Sequence, residues 1–200
     1  KSKSATAPFY ERLANEALLR SDFEPQGLAN LAWAFATADQ TSPALFDALA
    51  LEAQPRLHQF DPQGWSNILW AFAHLGHSSP PLFEAAAQLL MSHLSSGSSK
   101  RLEPQALANI TWAFASAGHS APHFFDIMAS EVCGRDVNNF SSQHLCNFCF
   151  AFAVADHHAP SIFEFVSSAP PPSASSPQAL ANIVWAFAVA DARHLQFLIS

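Results

Sequence analysis

The chain has 200 residues, of which 50% are hydrophobic and 12% are charged. This composition is sufficient for a large apolar core and excludes an intrinsically disordered chain. Nine Lys and Arg residues against 16 Asp and Glu residues give a net charge of −7, which excludes a protein that holds nucleic acid mainly through its overall field.

One apolar heptapeptide recurs five times along the chain. It reads NLAWAFA from Asn30, NILWAFA from Asn67, NITWAFA from Asn109, NFCFAFA from Asn147 and NIVWAFA from Asn182. A glutamine precedes each asparagine by four residues, and these glutamines are spaced by 37, 42, 38 and 35 residues. This spacing is typical of stacked helix pairs. We therefore predict an all-α fold, a right-handed α-solenoid of antiparallel helix pairs with about 35–42 residues per repeat.

Prolines mark the predicted helix starts, because the first helical position tolerates a residue without an N–H. In chain order, the sequence predicts a second helix (helix B) of a preceding repeat over 8–20, followed by four A–B helix pairs over 25–60, 62–100, 104–138 and 142–168. A truncated final repeat over 177–200 would contain helix A and a fragment of helix B. Together these elements form one array over 1–200. Since residue 1 is not Met and residue 200 falls within a repeat, we expect a segment of a longer chain.

Each predicted helix has a core face. At 100° per residue, Leu28, Leu31, Phe35 and Ala38 share one side of the first helix A, and alanines beside them allow neighbouring helices to approach closely. Helix B carries a core aromatic followed by an acid, which suits the positive end of the helix dipole. Serines such as Ser42 and Ser79 are predicted N-caps of helix B.

The opposite side of helix A carries a stripe that begins at the glutamine. Its asparagine is identical in every repeat and cannot discriminate between ligand units, so we predict that it bonds neighbouring repeats; the alternative is a uniform contact to each nucleotide. The aromatic three residues later is predicted to fill the seam between repeats, with stacking on a base as the alternative. The predicted inter-repeat residues are Asn30, Asn67, Asn109, Asn147, Asn182, Trp33, Trp70, Trp112, Phe150 and Trp185.

Two further registers of the stripe vary between repeats and are candidates for RNA recognition, with ordinary solvated residues as the alternative. The first register contains Thr37, His74, Ser116, Val154 and Val189, and the second contains Gln40, His77, His119, His157 and Ala192. The scarce cations supply other candidates, because one arginine falls in each of the first four B-to-A connections. These cations are predicted to form a ladder that faces a phosphate backbone, and they are Arg20, Arg56, Lys100, Arg101 and Arg135. The alternative is that they only stabilise the C-terminal ends of the helices they follow.

The sequence offers no recurring acid pair, phosphate-binding loop or partnered nucleophile, so we predict a protein that is not an enzyme and needs no cofactor. Cys146-x-x-Cys149 occupies packing positions of the repeat, and we predict no metal site there. Three cysteines make no disulfide framework and favour a reducing compartment. The apolar runs are shorter than a membrane span, which predicts a soluble protein without membrane insertion.

The repeated pattern PQ-x-LAN-x-x-WAFA-x-A, followed by P-x-[LF]-F-[DE], resembles the octotricopeptide repeat family and the similar heptatricopeptide repeats that accompany RAP domains. The resemblance covers 8–200. It departs from the family at helix B, where Pro80-Pro81-Leu82-Phe83 stands in place of a PPPEW start. The resemblance implies a nucleus-encoded protein of the mitochondrion or plastid, in which a helical array binds organellar rRNA or mRNA.

We therefore expect a non-catalytic protein that binds RNA within a ribonucleoprotein, such as a ribosome or an RNA-processing complex, together with other protein subunits. By analogy with other two-helix repeats, helix A would line the concave face. The alternative is a structural scaffold or adaptor subunit of an organellar multiprotein complex without RNA contact, which the acidic balance favours. A weaker alternative is an accessory module of a catalytic domain beyond Ser200.

Overall fold

A computed structural model describes residues 7–96, 102–169 and 177–199, and these ranges contain ten α-helices and no strand. The helices are α1 (Ala7–Leu18), α2 (Pro25–Thr37), α3 (Pro43–Ala53), α4 (Pro62–His74), α5 (Pro80–Ser95), α6 (Pro104–Ser116), α7 (Pro122–Cys133), α8 (Ser142–Val154), α9 (Pro160–Ser167) and α10 (Pro177–Ile199). Two short 3-10 helices, Gln54–Gln59 and Val137–Asn139, precede α4 and α8.

The helices form two rows. The even-numbered helices are the predicted A helices, and each packs closely against the A helix of the next repeat. The odd-numbered helices are the B helices, which lie side by side in a second row with fewer close approaches. The structure is thus all-helical with sequentially packed neighbours, as a helical repeat requires.

Proline begins eight of the ten α-helices in the described ranges, as the sequence predicts. The exception among the A helices is α8, where Ser141 and His144 form a capping box. Ser42 and Ser79 occupy the N-cap positions of α3 and α5, but their side chains accept no capping hydrogen bond, so this part of the prediction is wrong. In α3 and α5 the proline ring, rather than the hydroxyl, defines the helix start.

The turn from A to B has one conformation in the first four repeats. A residue with positive φ ends each A helix: Asp39 at 53°, Gly76 and Gly118 at 64°, and Asp156 at 55°. The next N–H donates back to the carbonyl of the buried helix-A phenylalanine, as in His77 to Phe72 at 2.9 Å. In the final repeat, Asp191 occupies this position within a helix and no proline follows it, so α10 runs without interruption, and the predicted B fragment belongs to the same helix.

Aromatic pairs link each B helix to the A helix of the next repeat. Their ring centroids are 4.9–5.4 Å apart in edge-to-face geometry. The pairs are Tyr10–Phe35, Phe46–Phe72, Phe83–Phe114, Phe125–Phe152 and Phe163–Phe187. The aromatic that the sequence places in helix B is therefore a contact between repeats as well as a core residue.

Alanines occupy the interfaces between A helices. How deeply each alanine is buried depends on the position of its helix in the row. Ala36 is fully buried against α4, whereas Ala34 is exposed because it lies on the side where α2 has no A helix before it. The equivalent Ala71, Ala113 and Ala151 are fully buried in the inner helices. Small side chains on both sides of a helix let the A row pack closely.

Candidate binding surface of the A helices

The outward side of the A helices carries a repeated set of side chains, rich in amides and aromatic rings, which we call the amide–aromatic stripe. Each helix contributes a glutamine, an asparagine, an aromatic and a variable residue at offsets 0, 4, 7 and 11, which lie on one side of a helix. The stripe consists of Gln26, Asn30, Trp33, Thr37, Gln63, Asn67, Trp70, His74, Gln105, Asn109, Trp112, Ser116, Gln143, Asn147, Phe150, Val154, Gln178, Asn182, Trp185 and Val189. All its glutamines are exposed.

The rings of the stripe are more exposed at the ends of the A row than inside it. Trp33 and Trp185 are each 45% exposed, because they lie on the first and last A helices. On the inner A helices, Trp70, Trp112 and Phe150 are half-buried, and the two tryptophans pack against the core. Phe150 and Trp185 lie 5.7 Å apart between α8 and α10, so these two rings meet across a repeat boundary.

On α8 and α10, the side-chain amides of the stripe form hydrogen bonds mainly with other side chains of the same helix. Gln143 donates to the Asn147 side-chain oxygen, and Gln178 donates to that of Asn182, both at 2.9 Å. Asn182 also forms a hydrogen bond with the Cys146 thiol of α8. Asn30 is exposed. On α8 and α10 the Gln–Asn pair thus presents a fixed set of donors and acceptors.

The variable register next to the rings is open to solvent. Thr37, Ser116 and Val154 are exposed, and Val189 is half-buried. His74 is exposed and stacks on Trp70, with ring centroids 4.6 Å apart and planes 17° apart. This register therefore stays a candidate for recognition, and its residue type changes from one repeat to the next.

The three histidines of the second variable register are largely covered between repeats, which contradicts their prediction as RNA contacts. His77 and His157 bond Asp47 and Asp126 at 2.9 Å. His119 Nε2 lies 3.5 Å from a Glu84 oxygen without a hydrogen bond.

The turn geometry explains this placement. The three histidine side chains are only 15–17% exposed, since the left-handed turn directs each ring onto the phenylalanine pair. Gln40, at the same register, bonds the Ala38 carbonyl of its own turn at 3.0 Å. The helix-B acids that contact these histidines were predicted only to interact favourably with the helix dipole. The sequence feature that could have indicated the contact is an acid in one repeat followed by a histidine in the next.

The arginine ladder is also contradicted at Arg135, whose side chain is only 5% exposed. Its Nη1 donates to the Leu102 carbonyl at 2.7 Å, and its Nε donates to Glu131 at 2.8 Å. Arg56 repeats this contact by donating to the Phe23 carbonyl at 3.0 Å. Both carbonyls lie two residues before the proline that begins helix A of the arginine's own repeat. These arginines therefore tie one B-to-A connection to the preceding B-to-A connection and do not face a phosphate backbone.

Arg20 remains exposed but is paired. Its guanidinium bonds Asp22 through Nε at 2.9 Å and through Nη2 at 2.8 Å. The hydrogen bond from Arg20 lowers the pKa of Asp22 from its ordinary value. Lys100 and Arg101 lie outside the described residues. The predicted cationic ladder is thus absent as a continuous feature of the residues that the structure describes.

The cysteines occupy packing positions. Burial raises the pKa of the Cys149 thiol to about 12, and it also raises the pKa of the Cys146 and Cys133 thiols. Cys149 of α8 is fully buried, so its sulfur packs in the hydrophobic core. Among the described residues, no group of three or more His, Cys, Asp or Glu side chains is arranged to hold a metal ion.

Within the described ranges, no helix combines the length and apolar character needed to cross a bilayer. No protein-family model matches the chain, and comparison with curated proteins gives no significant match. The resemblance to octotricopeptide repeats therefore stays a prediction from the repeated pattern of residues.

Proposed function

We propose that the chain is a non-catalytic helical-repeat module that binds single-stranded RNA along the amide–aromatic stripe. The observation that carries this proposal is a difference between registers on one surface. The amides are constant and the ring is always aromatic, whereas the adjacent register varies and reads Thr37, His74, Ser116, Val154 and Val189, all exposed except the half-buried Val189. A protein that recognises one nucleotide with each repeat needs contacts that are the same in every repeat and, beside them, a contact that varies between repeats.

The chemistry of the stripe suits bases better than phosphates. The partly exposed rings offer faces on which bases stack, and the Gln–Asn pairs offer donors and acceptors for base edges or sugar hydroxyls. The stripe contains no Lys or Arg, and two candidate phosphate ligands, Arg56 and Arg135, donate to backbone carbonyls of other B-to-A connections. We therefore expect affinity to depend on stacking and only weakly on salt.

The wider setting rests on the resemblance. An organellar ribonucleoprotein, with rRNA or mRNA and other protein subunits as partners, is the setting that the repeated pattern implies. The denser packing of the A row favours A helices on the inner side of a curved array, and a right-handed solenoid is the form we propose for it.

The test measures binding of fluorescent single-stranded RNA of about 10 nucleotides, as homopolymers and as a random pool, at several salt concentrations. We expect Trp33→Ala and Trp112→Ala each to weaken binding by about tenfold, since stacking contributes about 1–3 kcal/mol per base. Leu51→Ala is the matched control, because Leu51 is 76% exposed on the B helix α3. Thermal unfolding of each variant separates lost contacts from lost folding.

A scaffold or adaptor function is the second candidate, and the net charge of −7 favours it because it repels phosphate. Absence of RNA binding at about 50 mM salt, together with a protein ligand cross-linked to Trp33 or Trp112, would support the scaffold and exclude the RNA proposal. A steep salt dependence that Arg20→Ala removes would also count against the stripe, since it would locate binding at the cations.

A further inference from the structure

Three junctions between repeats hold an imidazole ring in the same surroundings. An acid of helix B, its neighbouring phenylalanine and the phenylalanine of the next helix A surround each histidine. At the third junction, Asp126 bonds His157 at 2.9 Å, and the ring lies 5.6 Å from Phe125 and 5.9 Å from Phe152. The repeat thus builds a site for a planar nitrogen group three times.

The fourth junction keeps the walls of this site but not the histidine. Phe163 and Phe187 are 5.2 Å apart and nearly perpendicular, like the other ring pairs, and Glu164 follows Phe163 as the acid. The residue at the histidine register is Ala192. Because α10 continues as a helix, Asp191 takes the place of the left-handed residue of the other turns.

A cavity of about 250 Å³ lies at this junction, between the α8–α9 turn and α10. Its walls are apolar at Phe152, Pro160 and Phe163, and they carry carboxylates from Glu164 and Asp191. His157 also lines the cavity, but its Nε2 is bonded to Asp126.

The equivalent cavity between the second and third repeats has a different polar wall. There, His119 lines the cavity and lies over the Glu84 carboxylate. The fourth junction therefore combines the aromatic walls of an imidazole site with two acids that line the space.

We propose that this cavity binds a planar nitrogen cation, an imidazolium or guanidinium group, against Glu164, Asp191 and the ring of Phe163. Charge-assisted hydrogen bonds to the two carboxylates and a cation–π contact to the ring supply the attraction. The three internal histidines show that these walls accept a flat nitrogen heterocycle. The site uses none of the stripe residues, so it is independent of the proposed RNA binding.

The test follows two-dimensional amide and phenylalanine NMR spectra of the 200-residue chain during titration with N-acetyl-arginine amide and with imidazole below pH 7. We expect saturable shifts confined to the residues around Phe163, Glu164 and Asp191, with a Kd of about 1–10 mM for a single side chain in an open cavity. N-acetyl-citrulline amide, which has nearly the same shape without the charge, is expected to produce no saturable shift.

Two substitutions make the test decisive. Glu164→Gln is expected to weaken arginine binding about tenfold, which follows from the strength of a charge-assisted hydrogen bond. Glu84→Gln is the matched control and is expected to leave binding unchanged, because Glu84 is the equivalent acid at another junction and does not line this cavity. Citrulline binding as well as arginine, or equal loss in both variants, would overturn the proposal.

A short peptide, Gly-Gly-Arg-Gly-Gly, identifies the source of the cation. If it binds more than tenfold more tightly than the single amino acid amide, the site receives a side chain of a protein partner. If the two bind equally, the site takes small free cations. Either result retains a cation site, whereas no saturable shift with any of the cationic ligands would exclude one.

Discussion

Removal of the Arg135 side chain distinguishes a clamp between two B-to-A connections from a contact to phosphate. In the structure, this side chain is 5% exposed and donates at 2.7 Å to the Leu102 carbonyl, in the connection that precedes α6. Arg135→Ala removes this charged hydrogen bond, which contributes about 1.5–3 kcal/mol, and also removes the partner of the Glu131 carboxylate. We therefore expect a loss of about 2–4 kcal/mol in the free energy of unfolding.

The measurement is urea unfolding followed by far-UV circular dichroism, with the midpoint and the slope fitted separately. Arg135→Lys retains the charge but cannot reproduce the fork of donors, so we expect an intermediate loss. Arg20→Ala is the matched control, because its pair with Asp22 is exposed, and no measurable loss is expected. The clamp would be refuted if Arg135→Ala unfolded at the same urea concentration as the unchanged chain while binding RNA more weakly.

Two further predictions concern a turn and a thiol. Gly76→Ala should lower the free energy of unfolding by about 1 kcal/mol. The residue has a φ of +64°, and an added Cβ meets nothing within 4 Å, so only backbone strain contributes to the loss. Urea unfolding measures this loss, and a value above about 3 kcal/mol would contradict the assignment to backbone strain alone. Because burial raises the pKa of Cys149 from 9.0 to about 12, the unfolded chain loses the thiol proton first. Stability present below pH 9 should therefore fall between pH 9 and 12, by up to about 1.4 kcal/mol per pH unit. Iodoacetamide should modify Cys149 only after unfolding, and rapid modification in the folded chain would contradict the burial.

The repeated pattern was enough to predict the helices. Local rules govern the start of a helix, and the prolines at 25, 43, 62 and 80 follow those rules in the structure. The same holds for the core, because a residue such as Phe72 faces inward in any helix with this spacing. Helical periodicity also separated the outward stripe from the core face.

The predictions failed where a side chain meets a distant part of the chain. Arg135 and His157 were taken as surface candidates because each is polar and lies near a helix end. Whether such a residue faces solvent depends on what the fold places opposite it, here the Leu102 carbonyl and the Asp126 carboxylate. These contacts join residues 33 and 31 positions apart, which local pattern does not reveal.

The sequence by itself therefore determined the helices, their order and their inward faces, since all three follow from spacing along one helix. Only the tertiary structure decided which polar residues are free to bind a ligand. The fold covers the Arg135 side chain against the connection before α6 and covers most of each histidine ring at a junction between repeats, while Trp33 stays half-exposed. It also brings Glu164 and Asp191 to the walls of one cavity, which helical periodicity alone does not predict.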